Sequence, residues 1–412
     1  MAGKKKKGRR SLHIFGLTLI LTVALESALL LGGWALGGFG NPQLAAVQLE
    51  SQLLELISEV SAAEDTSGSG KYAALLADEA LCRDQKIYAK QTASPDETTI
   101  LFAGDILFDD HYAVMAKMQQ RGGRIEDAFS PEMLEAMRRA DIFMVNNEFP
   151  YTGRGTPTPG KKFTFRAKPE YASYLTDMGT DVVSLANNHA YDYGEVSLTD
   201  SIDTLNRIGM PFVGAGRNLE EAVKPVYFIA NDKRIAFISA TQIERTDNPD
   251  TKEATLDSPG VFRCWDVERL LETVRNAKAV SDYVIVYIHW GTESTDEIDW
   301  AQKEQAPKIA EAGADLIIGD HPHVLQPVSY SGDTPVFYSL GNYFFNSKAQ
   351  DTCLVKVTLD ENGLKSLQFI PGRQEDCYVS MLHGAEKERV LSYMRQISPD
   401  VNIDADGFIT KR

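Results

Sequence analysis

The chain has 412 residues, of which 43% are hydrophobic and 24% charged, so it can bury a sizeable core and is not a wholly disordered protein. Its formal net charge is −16, although six positive charges stand within the first ten residues. Such an acidic body excludes non-specific binding of nucleic acid, and a polyanion could approach it only at a local basic patch.

The first forty residues indicate a membrane anchor. After the basic run, residues 12–40 are almost entirely apolar, and this stretch is long enough to cross the hydrocarbon core of a bilayer as a helix. The positive charges place the N-terminus in the cytoplasm and the rest of this single-pass protein outside the cell membrane. A cleaved signal peptide is the alternative, but the apolar run is long for one and no small-x-small cleavage site precedes polar sequence.

Composition divides the chain into five segments. They are a basic cytoplasmic tail (1–11), the transmembrane anchor (12–40), a stalk or linker with helical segments (41–96), the main domain (97–372) and a C-terminal extension (373–412). Within the stalk, apolar residues at helical spacing predict helices over 44–60 and around 72–81.

From Thr98 onward, short apolar strands alternate with amphipathic helices. We predict strands at 100–103, 142–145, 182–185, 212–214, 226–229, 235–239, 284–288, 316–318 and 336–339. Ser130-Pro131 predicts the start of a helix, and Asn231-Asp232 predicts a hairpin turn. A further helix is predicted over 386–397. The alternation is typical of an α/β sandwich of mixed sheets flanked by helices.

Polar residues directly follow six of the predicted strands. These segments are Gly104-Asp105, Asn146-Asn147-Glu148, Asn187-Asn188-His189, His289-Trp290-Gly291, Gly319-Asp320-His321-Pro322-His323 and Leu340-Gly341-Asn342. Because ligands of open α/β sheets bind at the carboxyl ends of strands, we expect these groups to converge. Carboxylates, amide oxygens and imidazoles form the mixed ligand set that suits Mn, Fe, Zn or Mg. The pattern therefore predicts one or two divalent cations.

The same segments carry a family resemblance. The ordered series GDILFDD, NNEFP, LANNHAYDYG, IHWGTE, GADLIIGDHPHVLQ and YSLGNYFF resembles the CapA family, which is associated with capsular poly-γ-glutamate synthesis. That family is similar to the calcineurin-like metallophosphoesterases. The resemblance covers residues 98–346, and its most specific pieces are NNHxxDxG and GDHPH. It implies a metallophosphoesterase sandwich of two mixed sheets and metal-assisted hydrolysis.

The resemblance also implies roles for single residues. The implied metal ligands are Asp105 and His323 at one site, Asn188, His289 and His321 at the other, and Glu148 as the bridge. His189 would protonate the leaving group, with Asp192 as the residue that orients it. The chain departs from the family pattern at Leu107, where the metallophosphoesterase motif Asp-x-His has an imidazole. Either one metal binds, or Asn342 or Asp320 substitutes for that ligand.

A basic loop over 151–170 follows Glu148 and is predicted to receive substrate. Its positive residues are Arg154, Lys161, Lys162, Arg166 and Lys168. We predict Arg166 as the main anion-binding residue because a guanidinium holds carboxylate or phosphate with two hydrogen bonds. Lys162 and Asn342 are the further substrate-binding candidates. Poly-γ-glutamate or a similar anionic polymer fits such a loop, although individual lysines here could equally be solvated.

Two functions from different classes follow. In the first, the chain is an extracytoplasmic, membrane-anchored hydrolase or transferase that cleaves a phosphoester or an amide in the synthesis, release or attachment of the polymer. In the second, it is a non-catalytic subunit of a membrane poly-γ-glutamate synthase complex that binds or exports polymer. His189 and Asp192 favour catalysis, because binding alone needs no leaving-group acid, whereas the missing imidazole favours the second function.

The four cysteines (Cys82, Cys264, Cys353 and Cys377) show no CxxC spacing, so we expect no cysteine zinc site. An even number in an exported protein permits disulfides. The pair that we would test first is Cys353 with Cys377.

Overall fold

The computed structural model describes residues 70–243 and 251–412. The predicted cytoplasmic tail, the anchor and the helix at 44–60 lie outside these residues. Within the described ranges, no helix combines the length and apolar character needed to span a bilayer. Residues from Gly70 to Arg412 form one compact unit.

Ten helices are described. In chain order they are α1 (Ala73–Leu76), α2 (Glu79–Asp84), α3 (Ala113–Arg121), α4 (Pro131–Arg139), α5 (Ser173–Met178), α6 (Glu195–Ile208), α7 (Leu219–Val223), α8 (Glu268–Val280), α9 (Trp300–Glu311) and α10 (Gly384–Ile397). Short 3-10 turns lie at Ile125–Asp127 and Pro169–Ala172. The helix predicted around 72–81 is divided into α1 and α2.

Nineteen strands are described, and all nine predicted strands are confirmed among them. In chain order they are β1 (Ile87–Ala89), β2 (Thr98–Ile106), β3 (Ile142–Asn147), β4 (Val182–Ser184), β5 (Phe212–Val213), β6 (Ala215–Gly216), β7 (Val226–Ala230), β8 (Lys233–Thr241), β9 (Gly260–Val261), β10 (Tyr283–His289), β11 (Leu316–Asp320), β12 (Val328–Ser331), β13 (Thr334–Phe337), β14 (Asn342–Phe344), β15 (Gln350–Asp360), β16 (Gly363–Glu375), β17 (Tyr378–Met381), β18 (Val401–Ile403) and β19 (Phe408–Lys411).

The strands form two large mixed sheets. The seven-stranded sheet has the order β1-β7-β8-β10-β11-β13-β12. The ten-stranded sheet follows β18-β19-β16-β15-β2-β3-β4-β5, with β14 added on β2 and β17 on β16. In the first sheet, β8, β10, β11 and β13 are parallel, and in the second, β2 to β5 are parallel. The predicted α/β sandwich of mixed sheets is therefore confirmed.

Three apolar layers hold the sandwich together. The middle layer lies between the sheets, where the rings of Phe102 and Phe237 are 6.4 Å apart and Tyr287 donates its hydroxyl to the Ala103 carbonyl at 2.9 Å. One outer layer packs α3, α4 and α6 on the ten-stranded sheet. The other packs α8 and α9 on the seven-stranded sheet. Burial of both faces explains why the parallel strands are continuous apolar runs.

Two local predictions are confirmed by their hydrogen bonds and dihedrals. The Ser130 hydroxyl accepts a hydrogen bond from the Met133 amide at 3.3 Å, and Pro131 occupies the first turn of α4. Asn231 and Asp232 have φ values of 48° and 54°, and they join β7 to its antiparallel neighbour β8. Positive φ at both central residues is the geometry of a tight hairpin turn.

The structure extends the sheets beyond the predicted strands at both ends. β1 lies in the segment predicted as stalk and pairs with β7, while β15 and β16 form a long antiparallel hairpin. Residue 373, the predicted start of the C-terminal extension, lies inside β16, and the predicted helix over 386–397 is present as α10. The segment boundaries drawn from the sequence stay predictions.

The proposed disulfide between Cys353 and Cys377 is wrong, because all four cysteines are free. Cys353 is buried in the layer between the two sheets, whereas Cys377 packs in the layer with α3 and α4. The two thiols thus belong to different apolar layers. Each is buried as a small hydrophobic side chain.

Candidate metal centre

The parallel strands bring the polar segments to one place. His289 and Asp320 are register partners at the ends of β10 and β11, and Asp105 pairs with Asn146 across β2 and β3. Asn342, which begins β14, pairs with Asp105. Because neighbouring parallel strands end at the same edge, side chains that are far apart in the sequence become adjacent.

Close backbone approach fixes the position of Asp105. The Asp105 amide donates to the Gly341 carbonyl at 3.2 Å. A Cβ added at Gly104 would lie 1.9 Å from that carbonyl oxygen, so only glycine fits there. Gly341 itself has a φ of 66°, in the region that glycine adopts at no steric cost.

The two histidines of GDHPH are held in strained backbone conformations. His321 has a φ of 94° and His323 a φ of 58°, in a region that L-residues other than glycine seldom adopt. Such strain persists only where surrounding structure enforces it, and it is concentrated at functional sites. Here it directs the two imidazoles towards the strand ends: His323 Nδ1 lies 3.1 Å from Asp105 Oδ2, and His321 Nδ1 lies 3.0 Å from His289 Nε2.

Three sets of potential ligand atoms lie within 4.8 Å of one another. They are Glu148, His289 and His321; Asp105, His289 and Asp320; and Asp105, Glu148 and His323. Glu148 belongs to the first and third sets, as a bridging carboxylate must. Asn188 joins the first set through its side-chain oxygen, which lies 2.9 Å from His289 Nε2. The structure thus brings together all six predicted metal ligands, and Asp320 with them.

The buried carboxylates leave atoms without partners. Neither carboxylate oxygen of Glu148 has a hydrogen-bond partner among the described residues, and the same holds for Asp320 Oδ2. Both side chains are fully buried. A buried carboxylate without a partner is costly, and a cation within reach would satisfy it. The donor set and its orphaned oxygens therefore fit one or two divalent cations, which could be Mn, Fe, Zn or Mg.

Burial and mutual repulsion shift the protonation equilibria in this cluster. Burial, reinforced by the charges of Asp105 and Asp320, raises the pKa of Glu148 well above its usual value. Burial also lowers the pKa of His289 to about 3, so this imidazole is neutral and able to act as a ligand. Burial opposes ionisation of Asp105 too, but the hydrogen bond and charge of His323 outweigh it and hold the pKa of Asp105 below its usual value.

His189 lies beside the cluster and is oriented by Asp192. Its Nδ1 is 2.7 Å from Asp192 Oδ2, and its Nε2 is 4.0 Å from Glu148 Oε1. The Phe165 ring packs over the imidazole with the ring centroids 4.2 Å apart. Burial lowers the pKa of His189 despite the charge of Asp192. This arrangement presents one ring nitrogen to the cluster and holds the other on a carboxylate.

Lys161 is a site residue that the sequence analysis did not identify. Its ammonium lies 2.6 Å from Asp192 Oδ1 and also donates to the Asn188 carbonyl, and its side chain is only 6% exposed. The ammonium therefore connects the Asp192–His189 pair to the backbone of a predicted metal ligand. The only signal in the sequence was its place in the basic loop.

The rest of the basic loop divides into paired and unpaired cations. Arg154 pairs with Asp200, and Lys168 pairs with Asp110. Among the described residues, no carboxylate pairs with Arg166, whose guanidinium lies 4.5 Å from the Tyr193 ring centre, or with Lys162, whose ammonium lies 5.0 Å from the Phe163 ring centre. Arg166 follows Phe165, the residue that packs on His189, whereas Lys162 is exposed. Their role in binding substrate stays a prediction.

Asn342, the third predicted substrate-binding residue, lies against the cluster, and its role in binding substrate stays a prediction. Its side-chain oxygen lies 2.9 Å from His323 Nδ1, and its amide donates to Gln350 at 3.1 Å. Asn146 and Asn187 were not assigned roles from the sequence. Asn146 donates to Asp105 Oδ1 at 2.9 Å, and Asn187 donates to Asn146 at 3.0 Å. The signal that could have found them is the Asn-Asn doublet that ends β3 and recurs shortly after the end of β4.

Comparison with known proteins identifies a family match over the region that contains these strand-end segments. The family model described as "Bacterial capsule synthesis protein PGA_cap" matches residues 99–347. A Bacillus subtilis (strain 168) protein named "PGA biosynthesis protein CapA" is 31% identical over 286 residues, which cover 68% of this chain and 73% of the relative. A Bacillus anthracis protein named "Capsule biosynthesis protein CapA" is 29% identical over 318 residues, which cover 74% of each chain.

A solved structure is also similar. The 5'-nucleotidase from Candida albicans SC5314 aligns with 69% of this chain and 53% of its own at 12% identity, with a TM-score of 0.37. A likeness at this score carries no argument about function.

Proposed function

Because the chain belongs to the bacterial capsule synthesis protein family PGA_cap, we propose that it is a metal-dependent hydrolase or transferase that acts on capsular poly-γ-glutamate or a related anionic envelope polymer. The single observation that carries this proposal is the clustering of the buried Asp105, Glu148, His289 and His321 with the partly exposed His323, while neither oxygen of Glu148 accepts a hydrogen bond from the described residues. A purely structural role would not explain a buried carboxylate whose oxygens accept no hydrogen bond.

The side chains around the cluster suit the cleavage of a phosphoester or an amide. A divalent cation held there would polarise the attacked group and acidify water. His189 faces the cluster through Nε2, and Asp192 holds its other nitrogen, so the imidazole can pass a proton to a leaving oxygen or nitrogen. The ion pair between Lys161 and Asp192 holds that carboxylate in position.

Arg166 supplies the attraction for an anionic polymer. Arg166 is next in sequence to Phe165, whose ring packs on His189. Among the described residues, no carboxylate pairs with its guanidinium. Its guanidinium would hold a carboxylate of the polymer with two hydrogen bonds. Lys162 would add a weaker, solvent-screened attraction.

The location of the protein is part of the proposal. The apolar segment 12–40 would anchor the chain in the cell membrane, with the cluster on the outside, where a capsular polymer is assembled or released. Protease added to intact cells should then digest the region from Gly70 onward and spare an epitope placed before residue 12. Protection of both regions would contradict this orientation.

Turnover by the purified full-length protein tests the catalytic proposal. The chelated protein is reloaded with Mn, Fe, Zn or Mg and assayed on a chromogenic phosphodiester and on poly-γ-glutamate. We expect His189→Ala to reduce turnover about 10²- to 10⁴-fold, the usual contribution of an acid–base residue, with bound metal unchanged. The matched control is His383→Ala, because His383 is exposed at the start of α10 and remote in sequence from the cluster.

One observation favours the second function, a non-catalytic polymer-binding subunit of a membrane synthase complex. Leu107, which stands where the metallophosphoesterase motif has a histidine, is fully buried in the apolar layer under α3 and offers no ligand. Polymer binding that survives in a protein inactive with every metal would support that function and contradict catalysis.

A further inference from the structure

A cleft of about 400 Å³ opens onto two residues of the metal centre, Asn188 and His321. Its outer wall is formed by two tryptophans, Trp265 and Trp300, whose rings are 5.7 Å apart at an angle of 74°. They are 42% and 57% exposed, whereas Trp290, the other tryptophan in the described part of the chain, is fully buried. Two large, partly exposed aromatic side chains thus border the cleft beside a predicted reaction centre.

The cleft is negatively charged. Glu293 and Asp299 contribute to its lining, and none of the described residues that line it is a lysine or an arginine. Asp299 is already engaged, since it caps α9 by accepting from the Gln302 amide at 3.1 Å and also accepts from the Thr292 hydroxyl at 3.2 Å. Glu293 is exposed and makes no hydrogen bond or ion pair within the described ranges.

The exposed indoles and the carboxylate of Glu293 both favour a cationic ligand. The face of an indole ring carries partial negative charge and attracts cations, most strongly among the aromatic side chains. A free carboxylate beside such a face adds direct attraction for a cation and repels the carboxylates of an anionic polymer. A neutral ligand gains nothing from the charge, and an anion is opposed by both features.

We propose that this cleft binds an organic ammonium group, the charged end of an amine-bearing substrate, against the exposed indole surface of Trp265 and Trp300 and near the carboxylate of Glu293. The inference rests on the proposed function only in treating the cleft as part of the substrate path. The cations of the basic loop do not line the cleft, so the anionic and cationic parts of a substrate would be recognised by different residues.

Tryptophan fluorescence reports binding directly, because two of the three described tryptophans lie in the cleft. The full-length protein carrying Trp34→Phe is titrated with choline and, separately, with 3,3-dimethylbutan-1-ol, its neutral isostere, at constant ionic strength and in the presence of EDTA. We expect saturable quenching by choline and an affinity for the neutral alcohol about two- to fivefold weaker, as one exposed cation–π contact implies. The chelator makes this result independent of metal binding and of turnover.

Variants assign the site. Glu293→Gln should weaken choline binding about fivefold, and Trp300→Leu should weaken it about two- to fivefold, because each removes one attraction for the cation while Trp265 still reports binding. Glu297→Gln is the matched control, since Glu297 is an exposed carboxylate in the same segment that does not line the cleft. Equal affinity for choline and its isostere, quenching by glucose in place of choline, or an equal effect of Glu293→Gln and Glu297→Gln would each overturn the proposal.

Discussion

Lys161 and Asp192 form a buried ion pair, with the ammonium nitrogen 2.6 Å from Asp192 Oδ1, while the other oxygen of Asp192 lies 2.7 Å from His189 Nδ1. The pair thus joins the basic loop to the proposed acid–base residue. A loop that from its composition could be a solvated run of charges is in fact fixed at its centre by one buried lysine.

We predict that substitutions at two adjacent lysines differ strongly in their effect on stability. Lys161→Met should lower the free energy of unfolding by about 3 to 5 kcal/mol, because it leaves the buried Asp192 carboxylate without its cationic partner. Lys162→Met should change it by less than about 0.5 kcal/mol, since this side chain is exposed. Urea denaturation of both variants measures the difference. Equal effects would mean that the ion pair contributes nothing beyond the loop's general charge.

Glu148 is predicted to stabilise the metal-bound protein and to destabilise the metal-free protein. Glu148→Gln should make the chelated protein more stable, because a neutral amide removes repulsion from Asp105 and Asp320 in a fully buried site. The same variant should lose most of the rise in melting temperature that a divalent cation produces in the parent protein. For the parent protein, a free cation concentration one hundred times the dissociation constant corresponds to a stabilisation of about 2.7 kcal/mol.

Metal content and calorimetry, with and without chelator, measure both halves of the Glu148 prediction. The matched control is Glu195→Gln, because Glu195 is exposed in the first turn of α6. Full metal retention in Glu148→Gln would remove this carboxylate from the ligand set.

Alanine substitutions at Gly104 and Gly153 test how closely the backbone packs beside the metal centre. Gly104→Ala should destabilise the protein by about 1 to 3 kcal/mol or more, because the added Cβ would lie 1.9 Å from the Gly341 carbonyl oxygen. Gly153→Ala should be close to neutral, since no atom lies within 4 Å of its added Cβ. Thermal unfolding compares the two. Equal stability would show that β2 and β14 do not approach as closely as described.

Lys86 should make stability depend on pH in the alkaline range. Burial lowers the pKa of Lys86 from 10.5 to about 8, and its ammonium contacts the Phe212 carbonyl at 3.4 Å. Between these two values the unfolded chain binds more protons than the folded one, so Lys86 makes the free energy of unfolding rise with pH. Below about pH 8 both states are protonated, and the cost of burying the charge is fully present.

Lys86→Met should therefore stabilise the protein at pH 7, by on the order of 3 kcal/mol, and the advantage should fall as the pH approaches 10.5. Urea denaturation at pH 7 and pH 10 compares the variant with the parent. Lys252→Met, at an exposed position, serves as the control. Stability curves for Lys86→Met and the parent that remain parallel over this range would contradict the prediction.

The site could be predicted from sequence largely because its ligands follow apolar strands. Asp105, Glu148, Asn188, His289 and His321 each come at or just after the end of a strand whose apolar run is continuous. Lys161 offered no such signal, because it lies in an irregular loop and its burial depends on contacts with Asp192 and Asn188, residues about thirty positions away. The acidic cleft was also invisible in sequence, since Trp265 and Trp300 come from separate segments.

The hairpin of β15 and β16 and the disulfide hypothesis show the same limit. Cys353 lies on β15 and Cys377 in the turn between β16 and β17, and the pairing of these three strands decides which apolar layer holds each thiol. Spacing in the sequence carries no information about the face on which a distant partner lies.

The alternation of strands and helices, the family and the candidate cation ligands can be read from the sequence alone, because local apolar pattern and motif order are properties of neighbouring residues. Only the tertiary structure decided which carboxylate oxygens are left without partners, which lysine is buried and where two tryptophans border a negative cleft. Those properties arise from packing between strands and loops far apart in the chain, and each depends on contacts that local sequence does not specify.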